Sequence, residues 1–136
     1  VSAERDKETR EQGKSFLQAA SAWPMRAPDA LNAAFEQAMA LPIAFGAMAG
    51  LHRVSPGAAI AGFANSAVAQ QISVGVRLIP LGQTAGLAVQ ASLEAEIAQM
   101  STEALSAQLA DISGLSYGTD IASIKHEDLR VRIFRS

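Results

Sequence analysis

The chain has 136 residues, 49% of them hydrophobic and 18% charged, with a formal net charge of −2, the size and balance of one globular domain or a large piece of one. So even a charge offers no basic face for nonspecific attraction to nucleic acid or to an anionic membrane, and neither is expected as a partner. The absence of cysteine excludes disulfides, thiolate metal sites and cysteine nucleophiles, and is compatible with a reducing cytoplasm.

Alanine dominates, Leu, Gln and Glu are frequent, and β-branched alternation is confined to the end of the chain. The fold class is therefore read as all-α: a helical bundle of about five to six helices over roughly residues 1–125, with a flexible C-terminal tail over roughly 126–136. The chain opens on Val1 in a charged, helix-like segment with neither an initiator Met nor a signal-type apolar core, which places the expected start inside a longer protein. The first helix is predicted from about Ala3 to Ala22, with Phe16, Leu17 and Ala20 as its apolar stripe and Trp23-Pro24 as its stop. A second opens near Pro28 or Asp29 and sets Leu31, Phe35 and Met39 on one face. The third, from about Pro42 to Arg53, carries Gly46 and Gly50 one turn apart. Glycine costs helix stability, so these two and Gly62 are read as packing positions.

The fourth helix has a specific start signal, Ser55 as N-cap with Pro56 at the first helical position, and runs to about Leu78, where Pro80 stops it. A fifth is predicted from about Gly82 to Met100 and a sixth from Ser101 or Thr102 to about Ile112. Turn residues SGLSYGTD and a short helix near Ile121 to His126 precede the tail DLRVRIFRS. Between Gln37 and Leu93 the only formally charged side chains are Arg53 and Arg77. A solvated helix should carry a polar outer face. Pro56–Ile79 is thus expected to be a central buried helix, in preference to a membrane span, because Asn65, Gln70 and Gln71 interrupt it.

No catalytic set stands out. Gly13-Lys14-Ser15 mimics the end of a phosphate loop, but Glu8 replaces the leading glycine and no strand precedes it. GQTAG from Gly82 to Gly86 reads as a helix junction, although any helix N-terminus can present amides to an anion. His52 and His126 are far apart, and His126-Glu127-Asp128 are adjacent residues that rarely face one ion, so no metal site is expected. In the tail, Leu129, Val131 and Ile133 alternate with Arg130 and Arg132. That pattern suits an adaptable segment whose apolar side chains fill a partner's pockets while its arginines make charge-assisted contacts. Disorder is expected from about His126 onward in the unbound chain.

KETREQGKSFL, LPIAFGAMAG, VRLIPLGQTAGL and above all DIASIKHEDLRVRIFRS resemble the urease accessory protein UreF family. The resemblance runs along nearly all of the chain, and the terminal motif is its most specific part. It implies an all-α, dimer-forming, non-enzymatic protein with no cofactor. Such a protein joins a UreD/UreH-type accessory protein and the UreG GTPase on apo-urease, where GTP hydrolysis is coupled to nickel insertion. By the same resemblance His126, Glu127, Arg132, Phe134, Arg135 and Ser136 fall on the terminal motif associated with partner docking, and Arg77 on the basic position before PLGQ. That position has a plainer reading too, since a cation near a helix C-terminus stabilises the dipole and terminal carbonyls. Two departures stand out. An N-terminal family segment is missing, so the chain resembles the C-terminal part, and Leu129-Arg130-Val131 replaces an aromatic or serine. The competing readings are a generic helical dimerisation or scaffold domain and a ligand-binding or hydrolytic helical domain.

Overall fold

The computed structural model describes residues 2–23, 26–79, 81–112 and 117–127, apart from the side chains at 30, 119 and 127. Seven α-helices and one 3-10 turn account for most of these residues, and no strand occurs among them. The chain divides into two compact units, Val1–His52 with Ser113–Ser136, and Arg53–Ile112.

The first unit is built on α1 (Ala3–Ala20), α2 (Asp29–Phe35), α3 (Leu41–Leu51) and α7 (Tyr117–Glu127). Ser2 caps α1 by accepting the Arg5 amide at 3.3 Å, and Glu4 and Asp6 place negative charge in the first turn, where the helix dipole favours it. The helix stops at Ala20, two residues before the expected Ala22, and Ser21 Oγ turns back to donate to the Gln18 carbonyl at 2.7 Å. One face of α1 receives the approach to α3. The Leu41 amide donates to Thr9 Oγ1 at 3.2 Å, Arg10 Nη1 donates to the Ala38 carbonyl at 2.8 Å, and Phe16 meets Phe45 with ring centroids 5.7 Å apart.

Gly13, one turn beyond Thr9, is buried directly beneath this segment. A Cβ there would overlap the Met39 carbonyl oxygen and come 3.0 Å from the Leu41 nitrogen. The glycine of the phosphate-loop mimic is thus a close-approach point between backbones. Ala44 of α3 is fully buried in the same unit. Met39 lies beyond the end of α2, so the expected stripe on that helix reduces to Leu31 and Phe35, both half-buried.

The second unit contains α4 (Pro56–Leu78), α5 (Gln83–Ser92), α6 (Glu94–Ala104) and a 3-10 turn at Leu109–Asp111. Ser55 and Pro56 start α4 as the sequence predicts, with Ser55 Oγ accepting the Ala58 amide at 3.4 Å. Both α5 and α6 pack against α4. The single helix expected over Gly82–Met100 is broken at Leu93, whose φ of −98° and ψ of 0° make it the cap of both pieces. Bending there without glycine or proline keeps both segments against α4, and the Leu93 amide bonds to the Gln90 carbonyl at 3.1 Å in a tightened turn. The sixth predicted helix is replaced by the end of α6 and the 3-10 turn. Ile97 and Ser101 are the buried residues of α6, with Ser101 Oγ satisfied by the Ile97 carbonyl at 2.6 Å.

Among the described residues α4 has no buried residue, so the burial expected of this almost uncharged helix is not provided by them. Its small uncharged side chains meet α5 and α6 on part of the circumference, and the remainder faces outward. Nor do Gly46, Gly50 and Gly62 serve as packing points among the described residues, because none of these lies within 4 Å of a Cβ built at any of the three. Among the described residues no helix is long and apolar enough to cross a membrane.

Candidate functional site

Arg77 sits in the last turn of α4, one turn after Ser73. Its Nε donates to the Ser73 carbonyl at 3.1 Å and Nη2 reaches Ser73 Oγ at 3.4 Å. A cation folded back along the C-terminal turn complements the helix dipole, which is the plainer of the two sequence readings. The guanidinium also lines a groove of about 420 Å³ between α4 and α5, whose walls include Ile72, Val76, Gln83, Leu87 and Gln90. Gly86 sets the width of this groove. A Cβ there would lie 3.1 Å from Cγ2 of both Ile72 and Val76, so glycine lets α5 approach α4 closely.

Arg77 is the only formally charged residue among those lining the groove. The guanidinium carries five N–H donors, and the contacts to Ser73 use two of its three nitrogens. The groove can therefore offer planar charge-assisted bonds from its rim and apolar contact from its walls. Gly82 precedes α5 as a plain N-cap with φ −69°. GQTAG is accordingly the helix junction that the sequence suggests.

In the first unit, His126 lies in the last turn of α7 together with Lys125. The disorder expected from about His126 does not reach His126 or Glu127, which close this helix. The helix also begins at Tyr117, earlier than the stretch predicted near Ile121. His126 Nδ1 lies 2.9 Å from Glu4 Oε2. Since a carboxylate only accepts, the imidazole donates. Two further pairs join the same helices: Ser2 Oγ to Ser123 Oγ at 2.6 Å and Arg5 Nη1 to Asp120 Oδ1 at 3.4 Å. Sequence reasoning missed Ser2, Glu4, Arg5, Asp120 and Ser123, because partners separated by 115 to 122 positions leave no local signal.

Arg132, Phe134, Arg135 and Ser136 lie outside the described residues, as does the side chain of Glu127. Among the described residues no group of three or more His, Asp or Glu side chains is arranged to hold a metal ion.

Fold and site together define an all-α protein whose candidate functional residues form a cationic groove rim and a pinned terminal helix. Residues 1–94 match the model of the UreF family. Curated relatives agree over almost the whole chain. The urease accessory protein UreF of Rhizobium leguminosarum bv. viciae is 42% identical over 135 residues, covering 99% of this chain and 59% of that protein. Its namesake from Bradyrhizobium diazoefficiens is 40% identical over 136 residues, covering 99% and 56%. A third, from Rhodopseudomonas palustris strain TIE-1, is 40% identical over 137 residues, covering 100% and 57%. The chain belongs to the UreF family of urease accessory proteins, and it spans less than three-fifths of the length of these relatives. No solved structure matches it.

Proposed function

We propose that this chain acts as a urease maturation factor: a non-catalytic cytoplasmic protein that binds a UreD/UreH-type accessory protein and the UreG GTPase on apo-urease. It works as a homodimer and couples GTP hydrolysis to nickel insertion, nickel being cargo carried by the GTPase. The observation that carries this reading is the agreement at about 40% identity with urease accessory proteins over nearly every residue. A protein with no nucleotide loop of its own can still drive such a process by favouring one state of a switch protein over another through differential binding.

Docking is assigned to His126, Glu127, Arg132, Phe134, Arg135 and Ser136 at the terminus and to Arg77 at the α4–α5 groove. The outward apolar side chains of the second unit, Leu78, Ile79 and Leu87 among them, support burial of this unit on assembly, since soluble surfaces rarely expose contiguous apolar area without use.

The test is co-purification of the full chain, and of a version ending at Glu127, with the UreD/UreH-type protein and then with the GTPase. Ending at Glu127 leaves α7 and its contacts whole. Binding by the full chain and loss of binding by the folded truncation are the expected results. Equal binding by both removes the docking role of Arg132, Phe134, Arg135 and Ser136, and binding by neither removes the proposed function.

A further inference from the structure

We draw no further inference here: the strongest candidate, the apolar cavity of about 270 Å³ beside the C-terminal end of α1, walled by Leu17, Trp23, Phe35, Met48 and Leu51, carries nothing because no observation in the structure shows what covers it.

Discussion

Gly13→Ala tests whether the approach to α3 is seated on α1 as described. In an exposed helix interior alanine is favoured over glycine by about 1 kcal/mol, so a solvated Gly13 would make the variant more stable. Here the added methyl overlaps the Met39 carbonyl oxygen and crowds the Leu41 nitrogen at 3.0 Å and the Ala40 carbonyl carbon at 3.1 Å. All three are backbone atoms and cannot rotate away. Forcing an extra methyl into a packed contact costs about 1–3 kcal/mol.

Displacing residues 39–41 also weakens the bond from the Leu41 amide to Thr9, worth about 1 kcal/mol, and loosens the Phe16–Phe45 pair, worth about 0.5–1.5 kcal/mol. Against the gain in helix propensity, a net loss of about 2 kcal/mol follows, or roughly 5–10 °C in Tm. Denaturant unfolding followed by the single tryptophan, Trp23, reads this out, because that residue belongs to the same unit. A variant as stable as the parent would show that Gly13 is not a close-approach point and that the α1–α3 packing is different.

Arg53 is the described non-glycine residue with a left-handed backbone, φ 56°, directly after the C-cap of α3. Arg53→Gly is expected to raise stability by about 1 kcal/mol in the same denaturation assay. Ser55→Ala removes the cap of α4 and is expected to cost about 1 kcal/mol, seen as a lower denaturation midpoint and faster exchange in the first turn of α4. Gly62→Ala adds a methyl into open space on the same helix. It should raise the Tm of the chain by a few degrees, on the order of 1 kcal/mol, and a fall in Tm would show a neighbour at that position. Among the described residues Arg77 hydrogen-bonds only to Ser73, so the thermal stability of Arg77→Ala is expected to stay within about 0.5 kcal/mol of the parent. Co-purification with the maturation partners is expected to weaken, and unchanged co-purification would return Arg77 to a role in capping α4.

Local signals carried the helices and little beyond them. Ser55-Pro56 marked the start of α4 because a cap and an N1 proline act within one turn. The break at Leu93 was illegible, since neither glycine nor proline marks it and it follows from both halves packing on α4. Gly13-Lys14-Ser15 lies inside α1, and the reason for the glycine lies in a backbone more than 20 positions away. Of the candidate site, Arg77 was found next to its proline stop, whereas the partners of His126 sit at the other end of the chain. The helical spacing of Tyr117, Ile121 and Ile124 on α7 was legible in principle, and was hidden by starting the helix too late.

The outward face of α4 has a physical explanation that the charge count alone does not provide. A helix lacking charged residues need not be buried if its own propensity holds it. α4 is rich in alanine, is capped by Ser55, begins with Pro56 and runs for 23 residues, well past the length at which helices become marginal in water. Its stability therefore depends less on being covered than that of α7, which is short and needs its contacts to α1. The same difference assigns them different parts in the proposed assembly. α4 brings a surface that is already ordered and that loses little conformational freedom on contact, while α7 is held by its bonds to Ser2, Glu4 and Arg5. Small side chains along α4 fit this division, because they let another backbone approach closely without the rotamer entropy that long side chains lose on burial.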